Sequence, residues 1–271
     1  MVLVGISDLV LRRAALRGVQ PASFMVLQSW FFGSTALTWS LATGSLRWSR
    51  AVLLGPVAGG LAFVATYAFL RSLQAPGAQV GVNAAVYRLN LAVTAVLAVV
   101  LLGEPVTLAK ATGLLLAAAA VVLLTDAAPL RAVVRAGGVG WAVLAMIAFG
   151  LVLFVYKVAV AHGAPPPLLI VGQFSALTLM ALGWALVREG GLRFTRAVVV
   201  HAPICGVLNA SGRVLVAWAL TVGEASVAVP VSQLSFVVTF VLAAPCFGER
   251  VTGRKLAGLA AAVLAVLAFA R

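Results

Sequence analysis

The segment Val86–Leu123 is written a second time, without a gap, at Val231–Ala268, and 17 of the 38 positions are identical. The shared positions include Leu89/Leu234, Thr94/Thr239, Gly103/Gly248, Glu104/Glu249, Thr107/Thr252, Lys110/Lys255 and Gly113/Gly258, all 145 residues apart. The same offset sets Gly18, Pro21 and Gln28 on Gly163, Pro166 and Gln173, and with one residue of slippage Gly44–Trp48 falls on Gly190–Phe194. Pro56 and Gly59 meet Pro203 and Gly206 at an offset of 147. Self-similarity on this scale means that one unit of about 145 residues is used twice, so both halves of the chain must fold alike.

What the unit can be follows from its polarity. The chain is 63% hydrophobic and 9% charged, with a mean hydropathy of +1.16, too little polar surface to cover a soluble globule. Its apolar runs are closely spaced, and each can cover about 30 Å of hydrocarbon as a helix. In a soluble chain the net charge of +13 would suggest nucleic acid. Here the basic residues mostly sit between apolar runs, as anchors beside anionic lipid, so the expected partners are the bilayer and a small molecule, not nucleic acid. Cys205 and Cys246 lie inside apolar runs without metal-ligand spacing and read as small buried hydrophobes. No P-loop, zinc-hydrolase helix, nucleophile elbow or paired catalytic carboxylate is recognisable, so neither a cofactor nor a metal is expected, and the chain does not read as an enzyme. No cleavable signal is evident, since Met1–Leu16 carries Asp8, Arg12 and Arg13 and no small-residue cleavage site follows.

The pattern predicts an all-α integral membrane fold of ten transmembrane helices, over residues 1–17, 22–43, 51–72, 77–102, 107–125, 137–161, 165–187, 197–222, 225–247 and 252–270. The longest break, Asp126–Arg135, divides a first five-helix repeat (1–125) from a second (137–271). Five is odd, so the second repeat enters the membrane from the opposite side, and such inverted repeats are typical of secondary transporters. Met1–Gly5 aligns with Met146–Gly150, although the sixth helix starts near Gly137. The first helix is therefore short for a span, and the expectation is a true start upstream.

Leu101-Leu102-Gly103-Glu104-Pro105-Val106-Thr107 with Gly113-Leu114-Leu115, and Phe247-Gly248-Glu249-Arg250-Val251-Thr252 with Gly258-Leu259, resemble the end of an EamA-type repeat of the drug/metabolite transporter superfamily. The resemblance covers essentially the whole chain. It implies two inverted five-helix repeats, a central cavity, alternating access, and export or exchange of small metabolites or drugs. Departures are visible too. The proline common in the fourth helix of each repeat is replaced by Leu91 and Phe236, and an arginine often found early in the second helix has no counterpart, Gln28 and Gln173 being the polar residues there.

Candidate site residues are those an apolar span would not carry without use. Arg88 and Arg213 each lie near the middle of a span, where an unpaired cation costs about 2.5–3.5 kcal/mol. His201, Cys205, Asn209 and Arg213 form an i, i+4, i+8, i+12 stripe on the eighth helix, opposite Leu54, Ala58, Ala62 and Thr66 in the other repeat. A second stripe, Asn83, Tyr87, Asn90 and Thr94, runs along the fourth helix, partly repeated as Ser232, Ser235 and Thr239. Arg88 stands roughly 130° from that stripe, so a cavity role and a structural pairing both remain open; its counterpart is Gln233. Lys157 aligns with Arg12, either as a snorkelling cation or as half of an anion clamp. Asp8, opposite Leu153, is either the i, i+4 partner of Arg12 or a proton-coupling position. Gln28 and Gln173 are symmetric and either line the cavity or bond between helices. Glu104 and Glu249 read as scaffold, each carboxylate sitting ahead of the next helix.

The predicted function is a secondary transporter, an exporter or exchanger of a small anionic or zwitterionic organic metabolite in the cell membrane, with a cavity lined mainly by helices 1, 3, 4, 6, 8 and 9. The alternative is a lipid-translocating or membrane interaction protein of the same fold. Cytoplasmic termini, which the resemblance implies, would leave about four Lys/Arg on the cytoplasmic side and about ten opposite, against the positive-inside rule. Charge alone favours termini outside.

Overall fold

Proline and glycine decide where the apolar runs start and stop as helices. A computed structural model describes residues 2–78, 83, 86–124, 138–235, 237–238 and 252–269. Among them are ten α-helices: α1 (Val2–Ala15), α2 (Pro21–Ala42), α3 (Leu54–Gln74), α4 (Asn90–Leu102), α5 (Leu108–Leu124), α6 (Val139–Ala161), α7 (Pro166–Arg188), α8 (Arg196–Val222), α9 (Ala225–Gln233) and α10 (Gly253–Phe269). Pro21 and Pro166 open α2 and α7 at the first helical position, where a missing N–H costs nothing. Gly103 closes α4 in the left-handed region (φ +67°), which a residue with a Cβ resists. Thr195 caps α8 by accepting from the Val198 N–H.

Among the described residues, four helices are long and apolar enough to cross a membrane: the stretch Arg50–Gln74, which joins a 3-10 turn to α3, and α6, α7 and α8; Val86–Leu102 and Leu108–Leu123 are shorter apolar helices. The continuous fourth helix expected over 77–102 is not observed. Its helical turn at Val86–Arg88 is separated from α4 by Leu89 (φ −67°, ψ 2°). At this break the Leu89 N–H donates to the Val86 carbonyl (3.1 Å) and the Ala92 N–H to the Leu89 carbonyl (2.9 Å), three-residue bonds in place of four. The repeat partner Leu234 ends α9 in the same way (φ −65°, ψ 3°), with the Val237 N–H donating to the Leu234 carbonyl at 3.0 Å. The helix expected over 225–247 is therefore interrupted at Leu234, and 239–251 lie outside the described residues.

Helix packing follows the repeat. α2 packs on α7, α4 on α9 and α5 on α10, each helix against its own counterpart; α1 packs on α8 as α3 does on α6, and α2 on α8 as α7 does on α3. Two of the close approaches recur between the halves. A Cβ on Gly5 would come within 2.6 Å of the Ser235 carbonyl oxygen and 2.8 Å of Val238 Cβ; one on Gly150 would come within 3.1 Å of the Asn90 carbonyl oxygen and 2.6 Å of Val93 Cβ. Likewise Gly206 stands against the Gln28 carbonyl, and Gly59 against that of Gln173. Without an aqueous hydrophobic drive between helices in lipid, such small-residue contacts are where interhelical packing is won.

Candidate functional site

A cavity of about 80 Å³ opens where the two halves meet, room for roughly five waters or one small solute. Asp8 and Leu11 of α1, Gln28 and Phe32 of α2, Thr66 and Phe69 of α3, Tyr87, Phe149 of α6, Gln173 and Leu177 of α7, and Asn209 and Arg213 of α8 are on its wall. The expected lining by helices 1, 3, 4, 6, 8 and 9 needs correction: α2 and α7 form part of the wall, and no described residue of α9 does. The close approach at Gly59 and Gly206 brings α7 and α2 against α3 and α8, with Gln173 and Gln28 on the wall.

Two arginines reach this region and are treated differently. Arg88, only 8% exposed, forms an ion pair with Asp8. Its Nη1 also donates to Ser235 Oγ (3.1 Å) and Gln233 Oε1 (3.4 Å), and Gln233 Nε2 donates to Asn90 Oδ1 (2.8 Å). Asn90 Nδ2 donates in turn to the Tyr87 carbonyl at 2.7 Å. Arg88 and Asn90 are the repeat partners of Gln233 and Ser235, so the two bonds cross between the halves reciprocally, flanking the breaks at Leu89 and Leu234. A buried charge held this way is tolerable because each partner is satisfied. The i, i+4 pairing of Asp8 with Arg12 suggested by spacing is displaced by Arg88. Arg88, Asn90 and Gln233 lie behind the wall and are not among the lining residues.

Arg213 is on the wall. Its guanidinium carbon lies 4.2 Å from the centre of the Phe149 ring, a cation–π contact worth about 0.5–2 kcal/mol. Phe149 continues into Tyr87 (5.5 Å) and Tyr87 stacks on Phe69 (4.3 Å, 25°), a row of rings beside the cation. The α8 stripe is divided: His201 Nδ1 lies 2.7 Å from the Ala197 carbonyl and Cys205 faces the Ser7 carbonyl, while Asn209 and Arg213 reach the cavity. Asn209 Nδ2 donates to Ser7 Oγ at 2.8 Å. Gln173 accepts from the Tyr156 hydroxyl and is sealed; its counterpart Gln28 is half-buried. Lys157 is away from the cavity, donating to the Leu220 (3.1 Å) and Gly223 (2.6 Å) carbonyls at the end of α8.

That end of α8 is held by further charges. Both Glu104 carboxylate oxygens accept backbone bonds from α9, from Ala225 (2.7 Å) and Ser226 (2.9 Å), and Lys110 pairs with Glu224. Glu104 thus serves the N-terminus of a helix in the other repeat, not that of α5 as its position in sequence suggests. Burial alone would raise its pKa, but the Ser226 and Ala225 bonds, with Lys157 nearby, outweigh burial and lower it. At the N-terminus of α2, Glu189 accepts from the Ala22 N–H (3.2 Å), and there burial dominates and raises the pKa.

A family model described as the EamA-like transporter family matches residues 136–271, half of the chain. The chain belongs to the EamA-like transporter family. It is accordingly an integral membrane protein of the membrane-transporter class, in keeping with its long apolar helices. A solved structure, described only as the crystal structure of a protein, superposes with a TM-score of 0.78 at 17% identity, over 98% of this chain and 93% of that one, and so shares its fold. No curated protein matches the chain in sequence. The Gly103-Glu104 pair falls at the α8–α9 clamp and not on the cavity wall.

Sequence reasoning missed Phe149, Phe69 and Thr66 on the wall, and Tyr156 and Ser7 as anchors, whereas Ser235 was part of the stripe read on the ninth helix. Aromatic and hydroxyl residues are common in any span, so no signal distinguished them. The Asp8–Arg88 pair was within reach, because a mid-span acid and a mid-span arginine are each too costly to stand alone.

Proposed function

We propose that the protein is a secondary transporter, an exporter or exchanger of a small anionic or zwitterionic organic metabolite, working by alternating access in the cell membrane. Its ten helices act as two inverted five-helix repeats, 1–125 and 137–271, since five crossings reverse the direction of entry. The family match beginning at residue 136 and the reciprocal contacts between repeat partners support that division.

One observation carries the reading: wall residues of the first half and their equivalents in the second differ in exposure. Asp8, Leu11 and Gln28 are partly exposed, whereas Leu153 and Tyr156 are fully buried and Gln173 is 4% exposed. A cavity accessible past Asp8, Leu11 and Gln28 and closed past Leu153, Tyr156 and Gln173 is what one half of an alternating cycle requires. The sealed side is also where Glu104, Lys110 and Lys157 clamp the α8–α9 turn. Asp8, the acid on the wall, is the position at which proton coupling would act. Purified protein in proteoliposomes should accumulate or exchange a small organic solute without scrambling lipid. Lipid scrambling with no solute movement would favour a lipid-translocating role instead.

A further inference from the structure

The charges around the cavity do not cancel. Among the described residues its wall carries one carboxylate, Asp8, and one guanidinium, Arg213. Asp8 is already taken by Arg88, whose remaining contacts go to Ser235 and Gln233. Arg213 has no carboxylate partner among the described residues; its neighbour is the Phe149 ring face, which attracts the cation but supplies no oxygen for its five N–H donors. The sum over Asp8, Arg88 and Arg213 is one uncompensated positive charge inside an apolar bundle, a costly arrangement unless something that enters the cavity completes it. The charges are absent from the other repeat, where Thr66 and Leu153 stand opposite Arg213 and Asp8, so the shared scaffold does not need them.

We propose that the solute is a singly charged organic anion, most simply a monocarboxylate, whose acid group meets Arg213 and whose apolar flank lies along Phe149, Tyr87 and Phe69. This narrows the transporter reading above and rests on it. A zwitterion would have to take Asp8 from Arg88, leaving that guanidinium buried without its counter-ion. A dianion would bring a second negative charge with no second cation among the described residues of the wall to meet it, since Arg88 is neutralised behind it and Lys157 donates to the Leu220 and Gly223 carbonyls. A cation would face Arg213 directly. The row of rings, with Tyr87 stacked on Phe69 at 4.3 Å, suits a flat or branched apolar flank.

The test is thermal stability of the full-length protein in detergent, titrated at constant ionic strength with sodium lactate, sodium benzoate, disodium succinate, alanine, choline chloride and sodium chloride. Lactate or benzoate should protect at concentrations about tenfold or more below the rest. Arg213→Gln should abolish that protection and Arg213→Lys should keep a weaker form. The decisive variant is Asp8→Asn, which leaves two cations uncompensated and should turn the preference toward succinate. Thr66→Lys adds a second cation on the wall without disturbing the Arg88 pair and should do the same if Asp8→Asn does not fold. Equal protection by succinate, alanine or chloride, no protection by either monocarboxylate, or protection that survives Arg213→Gln overturns the proposal. Proteoliposomes separate it from the reading beneath it. Binding of benzoate without its uptake would overturn transport alone; uptake of a neutral or zwitterionic solute with no anion preference would overturn the anion site alone.

Discussion

Alanine at Gly206 should loosen the whole bundle although it touches no charge. Its Cβ would stand 2.5 Å from the Gln28 carbonyl oxygen and 2.7 Å from Phe31 Cβ, where carbon–oxygen contacts normally relax to about 3.3–3.6 Å. Both neighbours are helix atoms that cannot rotate away, so α8 and α2 must part by roughly 1 Å. A gap of that size forfeits a quarter to a half of the dispersion well at each contact along the seam, and overpacking of this kind costs about 1–3 kcal/mol. At about 2–4 °C per kcal/mol for soluble domains near this size, the apparent Tm in detergent should fall by roughly 2–12 °C. Gly59→Ala should cost a similar amount, because Gly59 meets the Gln173 carbonyl in the partner contact. Gly60 and Gly183 are the controls. A Cβ at Gly60 meets only the Met180 sulfur, at 3.4 Å, and one at Gly183 meets nothing within 4 Å, so alanine there should be neutral or stabilise by about 0.5–1 kcal/mol through helix propensity. If Gly60→Ala were as damaging as Gly59→Ala, or if Gly206→Ala were tolerated, close repeat-to-repeat packing would not be what holds the cavity walls.

Other perturbations follow from the loop carboxylates. Glu104→Ala leaves two α9 N–H groups without their acceptor and should cost about 1–3 kcal/mol at pH 7 by thermal unfolding. Because the folded pKa of Glu104 is lowered, its contribution is fully present above the ordinary carboxylate range and is lost only as pH falls through the depressed value; the wild-type and alanine stability curves should converge only under acid. Glu189 has the opposite sign. Its pKa is raised by burial, so its ionisation penalises the fold as pH rises through that raised value, and Glu189→Gln should raise the Tm at pH 7 and leave it unchanged at acid pH. A Glu189→Gln protein less stable than wild type at pH 7 would show that the charge on the Ala22 N–H outweighs burial. Removing the Lys110–Glu224 pair with Glu224→Gln should cost less than Glu104→Ala, since Glu224 is more exposed and the pair is screened.

Much of the scaffold could be read from the repeat, because packing constraints act on both copies. Gly103 at the end of α4 and Pro21 and Pro166 at the starts of α2 and α7 sit where their backbone chemistry requires. The breaks at Leu89 and Leu234 could not be read. Leucine carries no helix-breaking signal, and a hydropathy pattern cannot register a three-residue bond within an apolar run. The partners of charged residues were equally hidden. Spacing along one helix pointed Asp8 to Arg12 and Glu104 to α5, whereas the contacts are with Arg88 and α9, fixed by how the halves interleave. Arg213 was recognisable as costly from its position alone; that the Phe149 ring stands beside it follows from how α6 and α8 meet, which spacing does not encode.

Accessibility of equivalent wall positions tests the inverted, alternating arrangement most directly, because it needs no substrate. In a background with Cys205→Ser and Cys246→Ser, Gln28→Cys and Gln173→Cys are each exposed to a membrane-impermeant thiol reagent, from one side of oriented proteoliposomes and then from the other. The account predicts that Gln28→Cys reacts rapidly from the side open in this structure and slowly from the other. Gln173→Cys should show the reverse bias, its slow rate rising when Glu104→Ala opens the clamp. The same side bias for both cysteines would contradict the arrangement, as would a Gln173→Cys rate indifferent to Glu104.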